Sequence, residues 1–157
     1  MNGSKKPEDG LLISPIQDGT VIDHITGGEA LVVLRILGIT GTTKEAISVA
    51  TNVGSRLSGK KDIVKISNRE LSKEEVDRIA LIAPNATINI IRDFRVFEKM
   101  KVEIPEKVEG FVCCPNPGCI TNSNEPVESS FKTKKGGRLQ CIYCDTIISD
   151  DIVDYII

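Results

Sequence analysis

The chain has no tryptophan, and aromatic residues make up only 4% of its 157 positions. A protein that stacks single-stranded bases on aromatic side chains would have little to stack them on. Charge of one sign is not in excess: 20 Lys and Arg stand against 22 Asp and Glu, a net charge of −2. No basic surplus therefore draws the chain to nucleic acid. Long apolar runs are missing too. The greasiest stretch, 30–39, is short and interrupted by Arg35, so it cannot span a bilayer. The opening MNGSKKPEDG is polar and has no apolar core of a secretory signal. These absences predict a cytoplasmic chain with neither a membrane nor a nucleic acid as partner. Histidine occurs once, as His24 next to Asp23. No nucleophile motif, GxGxxG or P-loop accompanies it. A lone His beside an Asp, and single lysines such as Lys65 and Lys99, are by spacing alone ordinary solvated or satisfied groups.

What is present is a cluster of cysteines. All five lie in the last third, at 113, 114, 119, 141 and 144. Cys114-x4-Cys119 and Cys141-x2-Cys144 are two ligand pairs, each set in turn chemistry. The segments 129–134 and 137–141 between them read as a hairpin. Two knuckles at the ends of a hairpin bring four thiolates into a tetrahedron, the set that structural Zn²⁺ takes. Four protein ligands leave no position for water, so the reading is a structural metal and not a catalytic one. Chance clustering of buried thiols, a disulfide pair and an iron–sulfur cluster are weaker readings of the same residues. Cys113 is the spare thiol. In an extended segment it shares a side with Phe111, while Cys114 shares the other with Val112. Its spacing to Cys119 is also one residue too long.

Upstream, hydrophobic periodicity predicts a strand over 20–25 and a helix over 28–37 with Gly38 past its end. Strands follow over 45–53 and 61–67, separated by a turn at 54–60. A second helix starts at Ser72 with Glu75 completing a capping box, and Pro84 ends it. Strands at 86–91 and 94–102 close the series. The order βαββαβ plus one strand predicts an α+β chain: a ferredoxin-like N-terminal domain with helices on one sheet face. The periodicity stops near residue 105, where all the cysteines still lie ahead. This divides the chain into a tail (1–10), a domain at 11–104 and a small all-β, zinc-ribbon-like domain at 105–157. About fifty residues seldom hold a fold on an apolar core alone, so the metal has a reason to be there.

Five segments carry a resemblance to a known family: GTVIDHI (19–25), KDIVKI (61–66), LSKEEVDRIALIAPNATIN (71–89), CPNPGCI (114–120) with EPVESSF (125–131), and CIYC (141–144). In this order the chain resembles the aspartate carbamoyltransferase regulatory chain over nearly its whole length. The resemblance implies a non-enzymatic allosteric subunit of pyrimidine biosynthesis. Its first domain pairs into a homodimer and binds CTP as inhibitor and ATP as activator, with UTP assisting in some members. Its zinc domain docks on catalytic chains, so that regulatory dimers bridge catalytic trimers. By position, Ile13, Pro15 and Ile16 would lie near the base. Asp23 and Lys65 would meet the ribose, and His24 and Lys99 the phosphates. Asn89, Ile91, Phe94 and Val96 would complete the base side, with Ile63 packed nearby. The zinc ligands carry over as Cys114, Cys119, Cys141 and Cys144. Gly10, Ser14 and Phe94 depart from the family pattern. A zinc-ribbon adaptor for nucleic acid is the alternative reading, opposed by the acidic balance and the lack of aromatic and Arg-rich motifs.

Overall fold

The computed structural model describes residues 15–39, 44–55 and 59–157. Ile13, together with Gly10 and Ser14, lies outside the described residues. The chain divides into two compact units, one ending at Val102 and one running from Glu103 to Ile157.

In the first unit, β1 (Gly19–Thr26) is followed by α1 (Ala30–Ile36), β2 (Ile47–Ser55), β3 (Gly59–Ser67), α2 (Lys73–Ile82), β4 (Thr87–Arg92) and β5 (Arg95–Lys101). The strands form one five-stranded sheet in the order β2-β3-β1-β4-β5, every neighbour antiparallel. This is the split βαβ arrangement expected from the sequence, with β5 added at the edge. Ile22, Val64, Ile66 and Ile88 are fully or almost fully buried on one face, along with Ala30 and Val33 of α1 and Ile79 and Ala80 of α2. Both helices cover that face, in contact with each other. The opposite face carries the alternate residues: Val21 and Asp23 of β1, Ile63 and Lys65 of β3, Asn89 of β4.

Local signals explain both helices. At the end of α1, Gly38 takes φ +78°. Its N–H donates to the Arg35 carbonyl at 3.0 Å, and Ile39 N–H donates to Leu34 O at 2.9 Å. This is a Schellman termination, which glycine reaches without strain. Leu31, on the first turn of α1, is 71% exposed. At α2, Ser72 Oγ accepts from Glu75 N–H at 3.2 Å, and Glu75 Oε1 accepts from Ser72 N–H at 3.0 Å. Arg69 donates to that same Glu75 and, at 3.1 Å, to the carbonyl of Leu37. The start of α2 is thereby tied to the end of α1. Of the turn expected at 54–60, Gly54 and Ser55 belong to β2 and Gly59 and Lys60 to β3, and 56–58 lie outside the described residues.

The second unit is a four-stranded antiparallel sheet in the order β6-β7-β8-β9, formed by Lys107–Glu109, Ser130–Lys134, Arg138–Cys141 and Ile147–Ile148. Its core is small: Val108, Val112, Phe131, Leu139 and Ile148, with three cysteines beside them. No helix among the described residues is long and apolar enough to cross a membrane.

Candidate metal centre and anion cleft

The two knuckles of the second unit are shaped by backbone turns. Cys119 N–H donates to Asn116 O at 3.0 Å, and Gly118 N–H donates to Asn116 Oδ1 at 2.9 Å. Across from them, Asp145 N–H returns to Cys141 O at 3.0 Å and Cys141 N–H donates to Thr146 O at 2.9 Å. Asn122 clamps the first knuckle by donating to the carbonyls of Cys114 and Asn116 at 2.8 and 2.6 Å. These turns gather the sulfurs of Cys114, Cys119, Cys141 and Cys144 within 4.8 Å of one another.

The donor set fits a metal. Cys114 Sγ lies 3.6 Å from Cys144 Sγ, and Cys119 Sγ lies 3.7 Å from Cys141 Sγ. A disulfide would need about 2.0 Å, whereas a tetrahedron of thiolates at a metal–sulfur bond of about 2.3 Å has edges near 3.8 Å. Burial pushes the Cys114 and Cys141 thiols up, against the help of nearby backbone N–H groups. The hydroxyl of Thr121 holds Cys119 down, and that of Thr146, 3.1 Å from Cys144 Sγ, is the main cause holding Cys144 down to about 6. Four neighbouring sulfurs cannot all ionise without a cation among them. A divalent ion held by Cys114, Cys119, Cys141 and Cys144 would supply it and deprotonate the set. Cys113 is exposed and points elsewhere, its thiol 3.5 Å from Asn122 Oδ1.

In the first unit, the antiparallel register sorts the open sheet face into rows. Opposite residues share a face with Cβ atoms roughly 5 Å apart. Lys65, Val21, Asn89 and Lys99 form one row across four strands. Asp23, Thr87 and Lys101 form the next. Gly19, Ile91 and Val96 form a row on the other side. Beyond it Phe94 is 64% exposed, and its N–H donates to Gln17 O at 2.9 Å, which brings the segment after exposed Pro15 and half-buried Ile16 to the β4–β5 turn.

At the charged end of these rows lies a cavity of about 610 Å³ lined by His24, Thr26, Lys60, Asn85, Thr87, Lys99 and Lys101. A bulge in β1 places Asp23 and His24 opposite a single residue of β3. His24 adopts φ +57° there. Without the extra residue it would face the helices. As built, its Nδ1 lies 3.3 Å from Thr87 Oγ1. Asp23 holds Lys61 at 2.9 Å. Lys60, Lys99 and Lys101 have no carboxylate partner within ion-pair distance among the described residues.

Of the residues expected from the sequence, His24 and Lys99 meet in this cavity. Asp23, Lys65, Asn89, Ile63, Ile91 and Val96 share its sheet face, and Pro15, Ile16 and Phe94 lie towards the far end. Sequence reading missed Thr26, Lys60, Asn85, Thr87 and Lys101. Alternation carried a signal for two of them: Lys101 is two residues from Lys99, and Thr87 two from Asn89.

A small sheet domain with a cationic cleft, joined to a four-thiolate metal domain that leaves no open ligand position, defines a binding and regulatory chain. Family models give the same division. Residues 11–103 match the allosteric domain of the aspartate carbamoyltransferase regulatory chain, and residues 106–154 match its metal binding domain. Curated regulatory chains from Methanoculleus marisnigri and Methanospirillum hungatei are 66% and 61% identical, each over 98% of this chain and 99% of the relative. That of Haloarcula marismortui is 57% identical over 94% of both chains. The chain belongs to the aspartate carbamoyltransferase regulatory chain family, whose members are the non-catalytic subunit.

Proposed function

We propose that the open sheet face binds nucleoside triphosphates, CTP as inhibitor and ATP as activator of aspartate carbamoyltransferase, the enzyme at the entry to pyrimidine biosynthesis in the cytoplasm. One observation supports the reading: along the strands the face passes from an apolar row (Ile91, Val96) through a mixed row (Val21, Asn89, Lys65, Lys99) to the row of Asp23, Thr87 and Lys101, where His24 and Lys60 also line the cavity. Rows two residues apart are about 6.6 Å apart, so the gradient runs over the length of an extended nucleoside triphosphate. Ile13, Pro15, Ile16, Asn89, Ile91, Phe94 and Val96 take the base, with Ile63 behind it. Asp23 and Lys65 take the ribose, and His24 and Lys99 the phosphates, where charge-assisted bonds are strongest. Where UTP assists, it does so beside CTP.

The metal is Zn²⁺, held by Cys114, Cys119, Cys141 and Cys144. Bound there it shapes the domain and supplies no reaction. Ile142, Tyr143 and Ile147 are 38, 48 and 43% exposed around the second knuckle, an apolar surface suited to docking on a catalytic chain. The first domain pairs with a second copy, so that regulatory dimers bridge catalytic trimers. An effector alters activity only if it binds two assembly states unequally. CTP favours a compact, less active assembly and ATP an expanded, active one.

Calorimetric titration of the zinc-loaded chain with CTP, ATP and an RNA oligomer tests the binding reading. Saturable one-to-one binding of both nucleotides is expected. Binding of RNA alone would favour the adaptor reading instead.

A further inference from the structure

Among the described residues, Asp62 is the one carboxylate in the first unit's core, 0% exposed. Among the described residues no lysine or arginine pairs with it. Backbone N–H groups from two other elements satisfy it instead. Asp62 Oδ2 accepts from Gly28 and Ala30 at 2.9 and 2.8 Å, in the turn that leads from β1 into α1. Asp62 Oδ1 accepts from Asn52 of β2 at 2.7 Å.

The position of these contacts is informative. β1 bulges against β3 between Ile22 and Ile25, and β2 bulges against β3 between Ala50 and Val53. Asp62 pairs with Ile25, immediately past the first bulge, and lies within the span of the second. Each bulge holds a non-glycine residue in the left-handed region, His24 at φ +57° and Asn52 at φ +54°. Such conformations persist only where the surroundings over-determine them. The Gly27 position is equally tight: a Cβ there would lie 3.0 Å from Asn52 Oδ1 and 3.3 Å from Lys60 Cβ. The turn after β1 is thus seated on the β2 bulge and on one of the cavity's lysines.

We propose that Asp62 is a positioning residue for the anion cleft. Its carboxylate pins the segment after β1 to β2 and β3, and this locks the bulge that turns His24 and Thr26 into the cavity beside Lys60. Register slips in strands move side chains to the opposite face. Loss of the pin therefore frees His24 to turn towards the helices. Asp62 touches no ligand itself. The proposal rests on the reading of the cavity as a phosphate site.

Inorganic tripolyphosphate is the probe, titrated into zinc-loaded wild-type, Asp62→Asn and Asp62→Glu chains well below their unfolding temperatures. Two quantities are read: affinity, and the shift of the His24 ring resonances on binding. His24 is the only imidazole in the chain, so its signals are read directly. Wild type is expected to bind with a clear His24 shift. The folded variants are expected to bind at least tenfold more weakly, with little or no His24 shift. The Glu variant keeps the charge and displaces the contact by one methylene, so it serves if the Asn variant does not fold. A folded variant that binds as wild type does, with the same His24 shift, overturns the proposal even if its thermal stability has fallen. A wild-type chain that ignores tripolyphosphate overturns the phosphate site itself and this inference with it.

Discussion

Lys99 and Lys101 stand two residues apart on β5, facing the same cavity as His24. A charge-assisted hydrogen bond to phosphate contributes about 1.5–3 kcal/mol. Lys99→Ala is therefore expected to raise the Kd for CTP about 10- to 100-fold in calorimetry, and Lys101→Ala to weaken binding in the same direction. Lys107→Ala, at an exposed side chain of the metal domain, should leave that Kd unchanged. The cysteines divide as sharply. Cys113→Ser is expected to retain one zinc per chain by atomic absorption, whereas Cys114→Ser should lose it. The exclusion of Cys113 was legible in the sequence because alternation in an extended segment is a local rule. The cleft was legible only in part. Lys60 was read within a turn, and Thr26 follows a bulge that reverses the alternation on which such a reading depends.

Among the elements, α2 shows how far local chemistry reaches. Ser72 and Glu75 announce the capping box in sequence, and the structure contains it. Ser72→Ala is expected to cost about 1 kcal/mol of stability in chemical denaturation. Burial resists ionisation of Glu75, but the Ser72 N–H and the Arg69 guanidinium outweigh it and hold the carboxyl below its ordinary value. A depressed folded pKa stabilises the fold above the unfolded value, and this contribution is lost as pH falls through the folded one. The unfolding midpoint should therefore fall on acidification below about pH 4.5, the ordinary value for this group, and Glu75→Gln should flatten that dependence. The facing bulges of β1 and β2 were not legible, because a bulge is a relation between strands. Nothing in TVIDHIT states that two of its residues will oppose one of β3. Asp62 likewise reads in sequence as a charge ahead of an apolar run. Its burial appears only when the start of α1 and Asn52 are brought to it.

At the scale of the whole molecule, the two units rest on different sources of stability. The first has a core between one sheet face and two helices. The second has few apolar residues and four thiols that require a cation. Chelation of the metal is expected to abolish amide protection across residues 103–157 while β1, β3 and β4 remain protected, as hydrogen exchange would show. Metal affinity should also weaken as pH falls, since protons compete for the thiolates. The division itself was visible in the sequence, because periodicity ends where the cysteines begin. That Lys65, Asn89 and Lys99 stand in a single row of the first unit's open face emerged only from the register. Aspartate saturation of the chain reconstituted with its catalytic partner tests the central claim most directly. Half-saturation should move to higher aspartate with CTP and to lower aspartate with ATP. Superimposed curves with and without the nucleotides would contradict the account.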